Sequence, residues 1–316
     1  MMIQLRKSIQ LKENPLKITI DALRQKKAKN EKFASVTCYD STFAQVSDAA
    51  GIEVFLVGDS LGKVIQGGNS TLPVTVEDIC YHTKAVASQP KNALIMSDMP
   101  FMGARTLEAG LDASMKLMQA GAHMIKLEGD ASLAPLIKTL KSQGVPVCVH
   151  LGLTPQAVHS LSGFKAQAKD KDSAQVLIET AVTLEQAGAD IVLVECIPAA
   201  VTKELYKAIK APIIGIGAGP DCDGQILVGY DLLGIPAGPK ARFVKNYMRE
   251  AQDIAGAYSQ IIHFPDGSDE AYPGTWIVNE PIGAILLVDD YPQDTPNNAL
   301  EWYRSILDTI DNVGQG

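Results

Sequence analysis

One phrase recurs along this chain and limits what it can fold into: a helix end, small residues with a glycine, then a β-branched run. It reads Ala49-Ala50-Gly51-Ile52-Glu53-Val54, then Ala120-Gly121-Ala122-His123-Met124-Ile125, then Ala187-Gly188-Ala189-Asp190-Ile191-Val192. Each glycine is placed to end a helix in the left-handed region, after which the chain enters a strand. The segments ahead carry helical spacing. Leu107, Leu111, Met115 and Met118 fall on one face and are expected to pack on the core. The strands are short apolar runs without strict alternation, the pattern of strands covered on both faces. They are expected at Ala34–Thr37, Val54–Val57, Leu94–Ser97, Met124–Leu127, Val147–His150, Ile191–Glu195, Ile213–Ile216 and Ile226–Tyr230.

Eight such strands alternating with helices over roughly 250 residues have the size and rhythm of a (β/α)8 TIM barrel. A doubly wound open sheet would want a glycine-rich turn after the first strand, and Tyr39-Asp40-Ser41 is not one. The run Gly215-Ile216-Gly217-Ala218-Gly219 follows a late strand with the wrong spacing for a dinucleotide fingerprint. After a seventh barrel strand it suits an anion or a close backbone approach.

The net charge of −8 speaks against a nucleic-acid partner, which needs a basic face. Lys26, Lys27, Lys29 and Lys32 gather near the start, but Glu31 interrupts them, and a solvated helix face is the expected reading. No apolar run reaches the roughly 20 residues of a membrane span. The first residues show no signal-peptide core. The five cysteines are scattered without a CxxC pair, which favours buried thiols over disulfides or structural zinc. A cytoplasmic enzyme without membrane or nucleic-acid partners is the expectation.

In barrels the chemistry lies where strands end. Those ends carry Asp59, Asp98, Glu128, His150 and Glu195, and Lys126 lies two residues before Glu128 and so on the same side of the pleat. Taken singly, an aspartate there can simply cap the helix that follows. Five ionisable groups converging on one mouth ask for a task, and repulsion among the three acids Asp59, Asp98 and Glu128 is relieved most simply by a hard cation such as Mg²⁺. A histidine at a strand end can be a satisfied core residue. The run from His150 to Pro155, a strand leaving for a loop, favours an active-site position instead.

These residues sit in phrases that closely resemble the ketopantoate hydroxymethyltransferase family. The phrases are Thr37-Cys38-Tyr39-Asp40, Val57-Gly58-Asp59-Ser60-Leu61-Gly62 and the loop from Gln66 to Thr75. Asp98-Met99-Pro100-Phe101-Met102, Lys126-Leu127-Glu128-Gly129 and His150 to Gln156 follow. Leu193-Val194-Glu195-Cys196 and Gly215 to Gln225 complete the set, in order, within about Ile18 to Gly274. The resemblance implies a barrel of the phosphoenolpyruvate/pyruvate type. It implies transfer of a hydroxymethyl group from 5,10-methylenetetrahydrofolate to 3-methyl-2-oxobutanoate, giving 2-dehydropantoate for pantothenate and coenzyme A, through a metal-stabilised enolate. By position it implies Asp59, Asp98 and Glu128 at the metal, with Asp59, Ser60, Asp98, Lys126 and His150 at the oxo acid, and Glu195 as the catalytic base. Partners are then the oxo acid, the folate and further copies of the chain, up to a decameric ring. A metal-dependent lyase or mutase of the same superfamily is the rival reading, and the ordered phrases speak against it.

The chain departs from the family pattern at Phe164, where tyrosine is expected, and at Ala168, where glycine is expected. It also continues past Gly274, where relatives usually end. The expected organisation is an N-terminal arm over 1–17, a catalytic barrel over 18–274 and an extension over 275–316. That extension offers a strand at Gly283–Val288 and a helix from about Asn298 striped with Leu300, Tyr303, Leu307 and Ile310, which would dock on the barrel or on a neighbouring subunit.

Overall fold

The computed structural model describes residues 17–262, apart from 91, 237–240 and 242. Nearly all of the expected N-terminal arm and the whole C-terminal extension lie outside the described residues. Within them, eight parallel strands close into a barrel in sequence order, β1 pairing with β8. The strands are β1 Phe33–Thr37, β2 Val54–Val57, β3 Leu94–Asp98, β4 Met124–Glu128, β5 Val147–Gly152, β6 Ile191–Glu195, β7 Ile213–Ile216 and β8 Gly224–Leu227. Around them run α1 Ile20–Ala28, α2 Ser41–Ala50, α3 Leu61–Val64, α4 Val76–Ala87, α5 Leu107–Gln119, α6 Ala134–Ser142, α7 Lys171–Ala187, α8 Ala199–Ala208, α9 Gly229–Leu232 and α10 Ile254–Ile262. No described helix is long and apolar enough to cross a membrane.

The recurring phrase does what its residues dictate. Gly51 and Gly188 end α2 and α7 with φ of 100° and 119°, and Gly121 follows α5 at φ 114°. The helices start on capping side chains: Thr19 on α1, Asp40 on α2, Thr75 on α4, Thr106 on α5 and Asp170 on α7. Apolar side chains on the outer strand faces pack against the helices. The barrel interior is filled by Leu56, Met96, Met124, Leu193, Ile214 and Ile226 among others, with Leu23 of α1 entering from below.

Three expectations change. The eighth strand runs over Gly224–Leu227 and not to Tyr230, because Gly224 pairs with Phe33 and the ring leaves no room for a Cβ there. Gly229 already opens α9, its N–H held by Thr37 Oγ1 at 2.9 Å. On α5 Leu111 and Met118 pack on the core as expected, but the fully buried face is Gly110, Ala113, Ser114 and Leu117, and Leu107 and Met115 are exposed. A helix lying close on its neighbours wants small residues at the contact, and Leu136 packs onto Gly110.

The third change concerns the lysines near the start, which are not a solvated face. Lys26 pairs with Glu53 at 2.6 Å, Lys27 with Asp223 at 3.3 Å, and Lys32 donates to the Cys222 carbonyl at 2.6 Å. Glu53, Asp190 and Asp223 each stand one residue before a strand and accept a backbone N–H from the strand beside it, at Ala34, Val147 and Ile213. Arg24 and Lys141 complete Asp190 at 2.7 and 2.6 Å. The close approach expected at the glycine run is found. A Cβ on Gly215 would clash with Cys222 Sγ, and one on Gly219 with Ala199. All five cysteines are free.

Candidate active site

The pleat decides which side chains reach the barrel axis. Leu94, Met96 and Asp98 share one face of β3, as do Met124, Lys126 and Glu128 on β4, Cys148 and His150 on β5, and Ile191, Leu193 and Glu195 on β6. The lower members of each set join the apolar interior. The upper members emerge at the C-terminal mouth, where register puts Asp98 beside Lys126 and Glu128 beside His150. A cavity of about 630 Å³ opens over them and is lined by all seven residues expected from the sequence: Asp59, Ser60, Asp98, Lys126, Glu128, His150 and Glu195.

Asp59 sits on the turn after β2, where its backbone N–H donates to Asp98 Oδ2 at 2.9 Å. Gly58 allows this approach, since a Cβ there would stand 3.2 Å from the same oxygen. Lys126 Nζ donates to Asp98 Oδ1 in a very short contact and to Glu128 Oε1 at 3.3 Å. His150 Nδ1 meets Glu128 Oε1 at 3.1 Å. On its other side His150 Nε2 lies 3.3 Å from Glu195 Oε2, close enough for an ion pair but not aligned as a hydrogen bond, so this buried nitrogen has no hydrogen-bond partner. Cys196, directly after Glu195, holds φ 49°, a left-handed strain for a side-chain-bearing residue that turns the chain as β6 ends. Its N–H donates to Ile216 and its carbonyl accepts from Gln167, which pins that turn. Ser60 Oγ bonds the buried Tyr39 hydroxyl at 2.9 Å.

Charge at the mouth is out of balance. Asp59, Asp98, Lys126 and His150 are all nearly fully buried. Burial pushes the Asp59 carboxyl well above the usual range, and the charges of Asp98 and Glu128 push it further. Asp98 is raised by burial although Lys126 opposes the shift. Burial also works against Glu128, but Lys126 and His150 outweigh it and hold Glu128 down to about 2. For Lys126, burial lowers the pKa and Asp98, Glu128 and Asp59 more than restore it, so the ammonium is held charged. For His150, burial is outweighed chiefly by Glu128, and the ring rises to about 9. Three acids thus share one lysine, and the excess falls on Asp59 and Asp98.

The family model for ketopantoate hydroxymethyltransferase matches residues 17–274. The chain belongs to the ketopantoate hydroxymethyltransferase family. A 3-methyl-2-oxobutanoate hydroxymethyltransferase of Marinobacter nauticus is 52% identical over 248 residues, covering 78% of this chain and 94% of that protein. One of Alcanivorax borkumensis is 51% identical over 243 residues, 77% of this chain and 93% of that protein. The relatives are hydroxymethyltransferases, and the chain is accordingly an enzyme of the transferase class. Among solved structures, phosphonopyruvate hydrolase in complex with oxalate and Mg++ aligns at a TM-score of 0.52 and 14% identity, over 66% of this chain and 80% of that one. A 2,3-dimethylmalate lyase, a PEP mutase/isocitrate lyase superfamily member, aligns at 0.52 and 14%, over 70% and 81%. At that identity they show the fold alone, a TIM barrel.

In this hydroxymethyltransferase no three His, Cys, Asp or Glu side chains among the described residues stand close enough to form a ready-made metal cage. The donor set still fits a hard cation. Mg²⁺ takes one or two carboxylates and completes its shell with water and substrate oxygens. Asp59 and Asp98 are the two buried acids whose carboxyls are pushed up, Asp98 in spite of its ion pair with Lys126. Glu128 is already held by Lys126 and His150, which suits it to a supporting place.

One side chain that reaches the mouth carried no expectation. Gln156 Nε2 donates to Asp59 Oδ2 and to the Met99 carbonyl, both at 2.9 Å, while its backbone N–H donates to Glu128 Oε2 at 3.1 Å. Its only sequence signal was its place at the end of the phrase that starts at His150. Of the two departures from the family pattern, Ala168 holds φ 54°, the left-handed region where glycine is at ease. Phe164 lines the cavity with Lys63 Nζ 5.0 Å from its ring centre.

Proposed function

We propose that this enzyme transfers the one-carbon unit of 5,10-methylenetetrahydrofolate to 3-methyl-2-oxobutanoate, with one water supplying the hydroxyl oxygen, to give 2-dehydropantoate. The reaction belongs to pantothenate and coenzyme A biosynthesis, and the setting is a cytoplasmic homo-oligomer. The observation that carries the reading is the continuous line Glu128–His150–Glu195 across the mouth, with Lys126 and Asp98 beside it.

Glu195 is the carboxylate left free to take a proton. It is only partly buried, and its Oε2 faces His150 and no backbone donor. It removes the proton from the carbon beside the ketone. His150 Nε2, buried and without a hydrogen-bond partner, is the donor available to an oxygen of the oxo acid, and Lys126 Nζ and Ser60 Oγ add positive charge and a hydroxyl. Leu193, Ile216 and Ile226 line the cavity and suit the branched alkyl end. Asp59 and Asp98, with Glu128 in support, would hold Mg²⁺ or a related divalent cation. When bound, the cation supplies Lewis-acid neutralisation of charge that develops on the substrate oxygens. NMR of the protein with Mg²⁺ and 3-methyl-2-oxobutanoate tests the reading. 2-Dehydropantoate should form only when the folate donor is added, and no product with the donor present would overturn it.

A further inference from the structure

Gln156 has three partners at the mouth, as many as Glu128 has. Its amide can be placed only one way round. Both partners of the side-chain tip, a carboxylate oxygen of Asp59 and the carbonyl of Met99, are acceptors, so the nitrogen must face them. Both amide hydrogens are then committed. The backbone N–H of the same residue holds Glu128. One residue of the β5 loop therefore clamps acids delivered by the β2 loop and by β4, and it braces them against the carbonyl that follows β3.

Asp59 has little else to orient it. The other neutral contact at this acid is its own N–H, which serves Asp98. The remaining neighbours are the carboxylates of Asp98 and Glu128, which repel it, and the Lys126 charge, which attracts it without a hydrogen bond. Gln156 also fills a wall. It lines a second cavity of about 470 Å³ that shares Glu128 with the catalytic one, and its tip reaches through to Asp59 on the catalytic side.

We propose that Gln156 is a positioning residue for the divalent-cation site, fixing the plane of the Asp59 carboxylate and, through its backbone, the place of Glu128. The inference rests on the reading of Asp59 and Asp98 as cation ligands. Outer partners that orient ligands typically change metal affinity about 10–100-fold when removed. Holding Asp59 Oδ2 against Nε2 determines where its other oxygen stands, so loss of the donor lets the carboxylate swing toward Lys126 or into solvent.

The test uses Gln156→Met in the full chain. Methionine keeps the length and volume, so the wall stays closed, and the backbone contact to Glu128 is untouched. Free Mn²⁺ is followed by EPR in the presence of 3-methyl-2-oxobutanoate, beside thermal melts of metal-free protein. The expected result is a Kd for Mn²⁺ raised about 10–100-fold, a metal-free protein that still melts cooperatively, and turnover that recovers toward the wild-type kcat at saturating Mg²⁺. A variant that binds Mn²⁺ like the wild type overturns the proposal, whether or not it melts earlier, because Gln156 would then be structural. Turnover that no concentration of Mg²⁺ restores also overturns it. Wild-type protein that binds no Mn²⁺ is a different failure, since it removes the cation reading itself.

Discussion

At the lower end of the barrel Glu53, Asp190 and Asp223 each accept a neighbouring strand's N–H and meet a base from α1 or α6, among Lys26, Lys27, Arg24 and Lys141. At the upper end Asp59, Asp98 and Glu128 share the single amine of Lys126, and His150 helps only Glu128. Both ends bury carboxylates, but the lower end gives each one a base of its own, whereas above Asp59 has no ion pair. Below, the acids lock strand starts and α1 into one plug, which is a stabilising use of charge. Above, the shortage of positive charge pushes Asp59 and Asp98 up, and on the proposed reading a cation would relieve it. Buried ionisable groups that are under-compensated mark function, and compensated ones mark architecture.

This contrast breaks most easily at Glu195. Glu195→Gln keeps the size of the side chain and removes its ability to accept a proton. With Mg²⁺ and 3-methyl-2-oxobutanoate in heavy water, wild-type enzyme is expected to exchange the C3 proton without folate. The variant should lose exchange and transfer by about 10²–10⁴-fold while its Tm stays put. Exchange at the wild-type rate would move the base elsewhere. Asp98→Asn comes next. It removes a ligand itself, so its loss of Mg²⁺ affinity should exceed the roughly 10–100-fold of an outer partner. Full turnover by protein shown metal-free by elemental analysis would sink both this and the cation reading.

The lower end should respond the other way. Asp190→Ala strands the Val147 N–H in a buried place, which costs about 1–3 kcal/mol, and releases Arg24 and Lys141 to water at little further cost because both are half exposed. A Tm lower by about 2–4 °C per kcal/mol, read by calorimetry, should accompany unchanged turnover per folded molecule. If activity falls while Tm holds, the two ends are not separate in function.

The same contrast explains what could be read from the sequence. The strands and the mouth residues were legible because their signals are local: an apolar run, a charged residue at its end, a period of two that puts Lys126 and Glu128 on one face. The lower plug was not. Lys26 and Lys27 find their acids far along the chain at Glu53 and Asp223, and nothing in a run of lysines announces a partner that distant. The period of α5 was read correctly and its phase only in part: Leu111 and Met118 reach the core, but close packing favours Gly110, Ala113 and Ser114 over the larger Leu107 and Met115. Gln156 escaped for the plug's reason. Its partners come from three different strand ends.

The smallest expected effect compares one histidine from each end. At the mouth, His150 is pushed up to about 9, since Glu128 outweighs the burial that disfavours its charge. Near the strand starts, His123 is pushed below its ordinary 6.5, by burial first and then by the Lys17 ammonium. The geometry agrees, for the Ile95 N–H donates to His123 Nδ1 at 3.0 Å and so requires a bare nitrogen there. A folded-state pKa below the unfolded one means that the unfolded chain binds the proton more tightly. This contribution of His123 is therefore complete above about 6.5 and is lost as pH falls through the lower folded value. The shift on His150 has the opposite sign, with its contribution complete below about 6.5 and lost as pH rises through about 9. His123→Asn offers a carbonyl oxygen to the same N–H and cannot titrate. Denaturant midpoints at about pH 7 and about pH 5 should then fall less between the two for the variant than for the wild type. Equal falls would show that His123 is not held neutral by the fold.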